Sequence, residues 1–475
     1  MKTTMSLPPR LPRAWLARLR VWAGLLAGLG LAGCTSLPTL VPELAHGPAV
    51  RTVQLEGARG PLSATQSKAI LDRLESRGPA TDIFERHLAL EDAMVDSPLT
   101  TGNRVVLLQD GPSTYQAMLT AMLGAQDHIN LETYILEDDE VGQRFAQVLI
   151  DKQRQGVQVN LIRDSVGTFG TPAAFFQQLT DQGVQVLEFN PVNPLAVRGD
   201  WSPNQRDHRK LLIVDGQTAF MGGINISSVY SGGSFSQRSR RRPDGSPAWR
   251  DTDLQLQGPV VAEFQKLFLA TWASQLGDPL PQKNYFPRIA SAGRTVVRAI
   301  GSSPDDAFSL IYATLLSAIG SAETSVYLTN AYFVPDPQLL AVLEAAARRG
   351  VDVKLILPSQ TDSWLVFHAG RGYYARLLQA GVKIYERRGV ILHAKTVLID
   401  GVWATVGSTN LDWRSFLHNQ ELNAVVLGTE FGSQLQAMFD RDLALSDPVS
   451  LSAWARRPLD LHLKELFARA WAYWL

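Results

Sequence analysis

Apolar runs of strand length alternate with amphipathic segments of helix length over most of this chain. Between residues 104 and 162 the pattern predicts strand, helix, strand, helix and strand, at 104–108, 113–123, 129–136, 141–155 and 157–162. The same order returns at 295–300, 307–318, 325–334, 337–349 and 351–357. Strands that alternate with helices of about ten to fifteen residues indicate an α/β sheet with helices on both faces.

The second half of the chain repeats the first. Residues 175–188 recur as residues 373–386, with matching aromatic, Gly-Val and Glu positions. The period far exceeds the roughly 20 to 50 residues of stacked repeat arrays, which indicates a duplicated domain. We predict a tether and helical extension at 34–102, one domain at 103–285 and a similar, facing domain at 290–475.

The N-terminal 33 residues have the pattern of an export signal. Five Lys or Arg residues and no acidic residue precede an apolar run at 21–31, which ends in Leu31-Ala32-Gly33-Cys34. This ending resembles the lipobox of bacterial lipoproteins, in which cleavage occurs before the cysteine and its thiol carries the lipid. We expect a membrane-anchored lipoprotein of the bacterial cell envelope that faces the periplasm. An uncleaved signal anchor and a chance cysteine are the alternatives, although the run is shorter than the roughly 20 residues of a spanning helix.

Composition and charge narrow the classes of protein. The chain has 475 residues, 45% of them hydrophobic, enough for two or three domains of about 150 residues with buried cores. Cys34 is the only cysteine, so no intramolecular disulfide or cysteine-based metal site is expected. After residue 33 the chain has 40 basic and 45 acidic residues, a balance of −5. Proteins that bind duplex nucleic acid usually have the opposite sign, and we expect no nucleic-acid partner.

Two short segments have alternative interpretations. The basic stretch at 238–242 is typical of a solvated loop, and contact with anionic lipid headgroups is the second interpretation. Near the C-terminus six residues fall on one helical stripe, for which packing against a domain is the default and aromatic anchoring at a membrane interface the alternative. These residues are Leu463, Leu466, Phe467, Ala470, Trp471 and Trp474.

Two copies of one His-x-Lys-x4-Asp pattern stand 185 residues apart in the two halves. The first consists of His208, Lys210 and Asp215, and the second of His393, Lys395 and Asp400. Each is followed by a turn of small residues that ends in an asparagine, Asn225 or Asn410. A hydrophobic strand follows each histidine, so His and Lys should point to the same side. The aspartates lie at an odd offset and should face away, in a structural role.

Two imidazoles and two ammonium groups suit phosphodiester transfer without a metal or another cofactor. Lysines supply positive charge to the nonbridging phosphate oxygens, and Asn225 and Asn410 can donate hydrogen bonds to them. One neutral histidine can attack phosphorus, while the other, protonated, can give its proton to the leaving alkoxide. Carboxylates are needed to orient the rings, and we predict Asp253 and Glu421 for this supporting role. Salt-bridge or surface roles for these two carboxylates are the alternative.

These motifs resemble those of the phospholipase D superfamily, and residues 249–253 and 410–421 are most similar to its bacterial cardiolipin synthase branch. The resemblance covers about residues 103–445 and implies two αβα sandwich domains packed face to face. It implies that the six residues of the two motifs form the catalytic set, with His208 as the nucleophile and His393 as acid and later base.

The same resemblance implies phospholipid substrates and a membrane surface as partner. A phosphatidyl group would pass from one phosphatidylglycerol, through a covalent phosphatidyl-histidine, to a second phosphatidylglycerol to form cardiolipin. Hydrolysis to phosphatidic acid is the alternative, and the lipobox, which departs from the pattern of the branch, favours it. A nuclease is the further alternative. The sequence does not determine the oligomeric state.

Overall fold

The first half of the chain forms one mixed sheet. The computed structural model describes residues 53–193, 202, 204–233 and 245–474. In spatial order the strands of this sheet are Gln185–Phe189, Gln158–Asp164, His128–Thr133, Lys210–Val214, Thr218–Gly222, Asp253–Gln257 and Leu99–Leu108. The first three are parallel and the remaining pairings are antiparallel. The helices of this half are Gly111–Gly124, Glu140–Arg154, Ala173–Asp181 and Val260–Ser274.

The second half builds a sheet with the same central order. Its strands, from one edge inward, are Ser446–Val449, Lys383–Arg387, Asp352–Pro358, Ser325–Asn330, Lys395–Ile399, Trp403–Gly407, Asn419–Leu427 and Thr295–Ser302. The last strand also pairs with Leu99–Leu108, which therefore joins the two sheets. The helices are Leu310–Gly320, Pro337–Arg348, Trp364–Arg371, Tyr374–Gln379, Trp413–Leu417, Thr429–Ala444, Leu451–Ala455 and Leu459–Arg469.

One hydrophobic core lies between the two sheets and holds the halves together. Helix Val260–Ser274 contributes Phe264 and Phe268, and helix Thr429–Ala444 contributes Phe431 and Met438, all buried against strands of both sheets. Burial of each such side chain stabilises the fold by about 1.5–3 kcal/mol. A second core covers the outer face of the first sheet, under the helices Gly111–Gly124, Glu140–Arg154 and Ala173–Asp181. The relative position of the two motifs is therefore set by apolar packing.

The segment before the first sheet packs against the second half. It contains the strands Leu55–Gly57 and Gly60–Pro61, helix Ala64–Glu75, a π-helical turn Ile83–His87 and helix Leu88–Met94. Glu91 lies 3.2 Å from the buried guanidinium of Arg298, and His87 lies 2.9 Å from Ser317. None of the helices in the described ranges is long and apolar enough to span a bilayer.

The predicted alternation of strands and helices is present, with differences at the ends of two strands. The strands predicted at 129–136 and 325–334 end at Thr133 and Asn330. Beyond these residues only isolated bridges continue, Leu136 with Ile226 and Phe333 with Leu411. Beyond each strand end the chain therefore contacts the connection that follows the neighbouring strand, at Ile226 in the first half and at Leu411 in the second.

Candidate active site

Each histidine of the two motifs is held by a strand of the opposite half. The short strand Arg206–Asp207 pairs in parallel with Asn419–Gln420, and the backbone N–H of His208 donates to the carbonyl of Gln420 at 3.0 Å. Reciprocally, Ile391–Leu392 pairs with Trp249–Arg250, and the N–H of His393 donates to the carbonyl of Arg250 at 2.7 Å. Neither histidine can therefore be positioned by its own half alone.

The same crossing strands supply the carboxylates that orient the imidazoles. Nδ1 of His208 lies 3.0 and 3.1 Å from the carboxylate oxygens of Glu421, and Nδ1 of His393 lies 2.6 Å from Oδ2 of Asp251. With Nδ1–H donating to a carboxylate, the lone pair of a neutral ring is on Nε2, at the far side of the ring. Within the described residues neither Nε2 has a hydrogen-bond partner.

The prediction that Asp253 orients a histidine is wrong, because Asp251 makes that contact. Asp253 starts the strand opposite Gly222, and its Oδ1 accepts a hydrogen bond from the N–H of Ile224 at 3.0 Å. In the second half Asn423 lies opposite Gly407, so the residue equivalent to Glu421 lies two positions before Asp253. The sequence prediction aligned the two carboxylates two residues out of register. Burial and the charge of Asp251 raise the pKa of Asp253 well above its usual value, which favours a neutral carboxyl.

Both lysines are anchored beside their own histidines. Nζ of Lys210 donates to the carbonyl of His208 at 2.6 Å, and Nζ of Lys395 donates to the carbonyl of His393 and lies 2.9 Å from its Nδ1. Burial lowers the pKa of Lys210 to about 7, against the opposing effect of Glu421, and burial also lowers the pKa of Lys395. Burial raises the pKa of Glu421 to about 7.

Charged groups of both motifs act on His208, and those of its own motif act on His393. Burial, Lys210, Lys395 and the other imidazole lower the pKa of His208 well below its ordinary value. Burial and Lys395 lower the pKa of His393, against the opposing effect of Asp251. The unliganded site therefore favours neutral imidazoles. An anionic phosphodiester would reverse this balance, because its charge stabilises the protonated forms of the lysines and of one histidine.

The two predicted asparagines have different surroundings. Asn225 accepts from the N–H of Ile135 at 3.1 Å and donates to the hydroxyl of Tyr230 at 3.1 Å. That hydroxyl lies 3.2 Å from Nδ1 of His393, so Asn225 reaches the histidine of the other half through a tyrosine. Oδ1 of Asn410 is buried without a hydrogen-bond partner among the described residues. Of the two predicted asparagines, Asn410 is therefore the one whose side-chain oxygen makes no hydrogen bond within the described residues.

The structure places Asp215 and Asp400 away from the imidazoles. Both adopt positive φ, 53° and 50°, in the turn that follows the motif strand. Asp215 accepts hydrogen bonds from the backbone N–H groups of residues 126–128, and Asp400 from those of residues 323–325 and from the hydroxyl of Thr81. In these positions they brace the turns and make no contact with the histidines.

Aromatic side chains that the motif analysis did not select surround the imidazoles. The Tyr134 ring packs edge-on to His208 at 5.0 Å between centroids, and Trp249 lies 5.0 Å and Tyr332 6.1 Å from His393. Burial, Asp362 and neighbouring Tyr134 are among the causes that raise the pKa of Tyr332 well above its usual value. Trp249 and Asp251 could have been found from the sequence because they lie in the segment 249–253, which resembles the family. Tyr134 and Tyr332 lie outside the motifs, and no sequence pattern pointed to them.

The two halves of the site differ behind the histidines. Glu132 and Asp207 are buried behind His208, with Arg209 3.9 Å from Glu132. Burial and the neighbouring carboxylate of Asp207 raise the pKa of Glu132 well above its usual value. In the second half the equivalent positions hold Thr329, Leu392 and Ala394. The motifs are duplicated, but the electrostatic surroundings of the two histidines are not.

Three of the segments selected from the sequence lie outside the described ranges. Cys34, the signal segment and the basic stretch 238–242 lie outside the described residues. In the described ranges no group of three or more His, Cys, Asp and Glu side chains is arranged to hold a metal ion.

Comparison with known proteins gives consistent matches. The family model described as cardiolipin synthase, PLD-like domain, matches residues 118–231 and 315–443. The cardiolipin synthase of Geobacillus thermodenitrificans is 34% identical over 374 residues, 78% of this chain and 72% of the relative. Cardiolipin synthase 2 of Bacillus anthracis is 35% identical over 360 residues, 75% of this chain and 68% of the relative.

A solved structure shares the fold. The phosphatidylserine synthase of Haemophilus influenzae superimposes with a TM-score of 0.55 at 11% sequence identity, over 77% of this chain and 95% of that protein. At this identity the likeness concerns the fold alone.

Proposed function

Because this chain belongs to the cardiolipin synthase branch of the phospholipase D superfamily, we propose that it transfers a phosphatidyl group from one phosphatidylglycerol to another. The observation that carries the proposal is the reciprocal crossing of the site. Glu421 of the second half orients His208 of the first, and Asp251 of the first orients His393 of the second. Each imidazole is therefore oriented through Nδ1 by a carboxylate of the opposite half, and the two rings can act on one phosphorus atom from two sides.

The first step forms a phosphohistidine. Nε2 of neutral His208 attacks phosphorus, a P–N bond forms, and the bond between phosphorus and the glycerol oxygen breaks. Protonated His393 gives its Nε2 proton to that oxygen, so glycerol leaves as a neutral alcohol. Asp251 stabilises the imidazolium before the transfer, and Glu421 stabilises the positive charge that develops on His208.

The second step returns both histidines to their starting states. The terminal hydroxyl of a second phosphatidylglycerol gives its proton to His393 while its oxygen attacks phosphorus. The P–N bond breaks, and the product carries two phosphatidyl groups on one glycerol. Lys210 and Lys395 stabilise the charge on the nonbridging oxygens in both steps, more strongly here than in water because the site is buried.

A lipid anchor on Cys34 is part of the proposal. The lipobox-like ending of the apolar run supports it, and the envelope location facing the periplasm follows from the same segment. Such an anchor would keep the site near its substrate by raising the local concentration, as a linked second binding site does.

Product analysis tests the proposed reaction. The purified enzyme is mixed with phosphatidylglycerol vesicles, and we expect release of glycerol together with a lipid that has four acyl chains. His208→Ala and His393→Ala should abolish both products while the circular dichroism spectrum is unchanged. Phosphatidic acid as the main product would show that the enzyme hydrolyses phosphatidylglycerol instead of transferring its phosphatidyl group. Turnover by either alanine variant at the parent rate would refute the assignment of His208 and His393 to the active site.

A further inference from the structure

The C-terminal helix Leu459–Arg469 has its apolar face turned outward. Leu459, Leu463, Leu466, Phe467 and Trp471, just beyond the helix, are between 43% and 79% exposed. The opposite face buries Ala468 and the charged Glu465, which is only 6% exposed. An amphipathic helix on a soluble protein normally has the reverse arrangement, and a contiguous exposed apolar patch of this kind marks an interaction site.

This orientation is held by specific contacts. Glu465 forms an ion pair with Arg457, whose guanidinium also stacks over Trp454 at 3.3 Å. Ala468 packs with Val366 and Ala369 of helix Trp364–Arg371. Rotation of the helix to bury its leucines would break the buried ion pair, which is costly because it leaves a carboxylate without its partner. The outward face is therefore a fixed feature of the fold.

The exposed helix lies one layer of side chains from the candidate active site. The small core beneath it includes Tyr332, the ring that lies 6.1 Å from His393. Trp364, itself 48% exposed, lies 6.4 Å from Phe467 between ring centroids. The apolar face thus continues from the C-terminal helix onto the connection that follows strand Asp352–Pro358.

The equivalent connection of the first half also exposes apolar side chains. It follows strand Gln158–Asp164 and carries Val166 and Phe169, of which Phe169 is 80% exposed. The carboxylate of Asp164 accepts from the N–H groups of Val166 and Gly167 and from that of Asp207, the neighbour of His208. Each protrusion therefore lies near the histidine of its own half, the first through the contact between Asp164 and Asp207 and the second through Tyr332.

The charges near the C-terminal helix fit an anionic surface. Residues 451–474 include four basic and two acidic side chains, and one of the acidic ones, Glu465, is buried against Arg457. Arg456, three residues before the helix, and Arg469, its last residue, are both exposed. Leucine and tryptophan side chains with basic residues beside them are the composition of segments that lie in the interface of anionic bilayers.

We propose that these residues form a bilayer-docking surface, made of Leu459, Leu463, Leu466, Phe467, Trp471 and Trp364 on one side of the site and Val166 and Phe169 on the other. The surface lies on an anionic phospholipid bilayer and directs lipid headgroups to His208 and His393. A second copy of the chain on the same residues would cover both sides of the site and block lipid entry, which favours the bilayer. The inference rests on the proposed function, and it adds the surface through which phospholipid headgroups in a bilayer reach the active site.

A kinetic comparison between two forms of one substrate tests the proposal. Leu463→Ser with Leu466→Ser removes the centre of the surface at positions that are exposed, and Leu123→Ser, 60% exposed in helix Gly111–Gly124, is the matched control. All variants keep the native N-terminus. We expect kcat/KM on vesicles of phosphatidylglycerol to fall at least tenfold in the double variant. Turnover of monomeric short-chain phosphatidylglycerol should stay within twofold, and the control should match the parent on both substrates.

Two results would overturn the docking surface. One is unchanged turnover on vesicles in the double variant, and the other is an equal loss on both substrates, which indicates a structural role. A dimer by light scattering that the double variant dissociates would assign the surface to a second copy instead.

Photolabelling separates this inference from the proposed function. Vesicles of phosphatidylglycerol with a diazirine in the acyl chain are irradiated with the full chain, and the adducts are mapped by mass spectrometry. Adducts at 459–471 and 166–169 support docking even if no lipid product forms, whereas adducts confined to the N-terminal anchor contradict it. If the parent enzyme forms no cardiolipin from short-chain phosphatidylglycerol, that result contradicts the proposed function and leaves the docking surface unaffected.

Discussion

The crossing carboxylates can be tested by a pair of isosteric substitutions, Asp251→Asn and Asp253→Asn. Asp251 lies 2.6 Å from Nδ1 of His393, whereas Asp253 contacts the backbone of Ile224 and favours a neutral carboxyl. An asparagine at 253 therefore closely mimics the native group, and its oxygen can still accept from Ile224. An asparagine at 251 removes a charge and offers an amide donor to Nδ1.

The expected losses follow from these contacts. A hydrogen bond to a charged group contributes about 1.5–3 kcal/mol, which corresponds to roughly 10- to 200-fold in rate. If the new amide donates to Nδ1, the ring is held in the wrong tautomer, and in a comparable His–Asp pair that error costs about 10⁴-fold. We expect Asp251→Asn to lose about 10- to 10⁴-fold in turnover of phosphatidylglycerol, and Asp253→Asn to lose less than about fivefold.

A substrate with an activated leaving group separates the two histidines. Phosphatidyl-p-nitrophenol releases a phenolate that needs no proton, so the first step should no longer require His393. In rapid mixing, Asp251→Asn should still give a burst of p-nitrophenolate followed by slow turnover. The second step is then slow, because breaking the P–N bond requires His393 to take the proton of the acceptor hydroxyl. Glu421→Gln, beside the nucleophile His208, should give no burst.

Two results would refute this reasoning. Asp253→Asn could lose more activity than Asp251→Asn while its thermal unfolding midpoint is unchanged, which would restore the original carboxylate assignment. A burst in Glu421→Gln together with none in Asp251→Asn would exchange the roles of the two histidines.

Three further predictions concern the charge of the site, the anchor and the core. Because the pKa of Lys210 is lowered to about 7, its ammonium is present below that pH and lost above it, and kcat/KM should fall as the pH rises past 7. Lys210→Arg should move this alkaline limb of the pH profile to higher pH; a limb that does not move would assign the titration to another group. Cys34→Ser should abolish incorporation of labelled palmitate during expression, and retained label would place the lipid elsewhere. Phe264→Ala leaves a cavity at a fully buried position between the sheets and should lower the free energy of unfolding by about 3–5 kcal/mol, measured by thermal or urea unfolding. An unchanged unfolding midpoint would show that this core does not hold the halves together.

Local patterns were sufficient for much of the fold because they depend on near neighbours in the chain. The alternation of strands and helices was predicted from the hydrophobic period. The structural role of Asp215 and Asp400 was also predicted, although a turn with positive φ, and not the alternation of side chains along a strand, directs them away from the motif histidines. Strand ends were less well predicted, as at 129–136, where the hydrophobic pattern continues past Thr133 but the sheet does not. Pairing partners decide where a strand ends, and these are distant in the chain.

By itself the sequence predicted that two histidines and two lysines serve one reaction, because a repeat with intact motifs in both halves indicates a duplicated half-site. It also determined that Asp251, Asp253 and Glu421 were available as acids. Only the tertiary structure decided which acid serves which imidazole, since that depends on the register in which strands of one half cross those of the other. It likewise decided that the leucines of the C-terminal helix face outward, because the burial of Glu465 against Arg457 sets the rotation of the helix, and no local pattern records a contact of that kind.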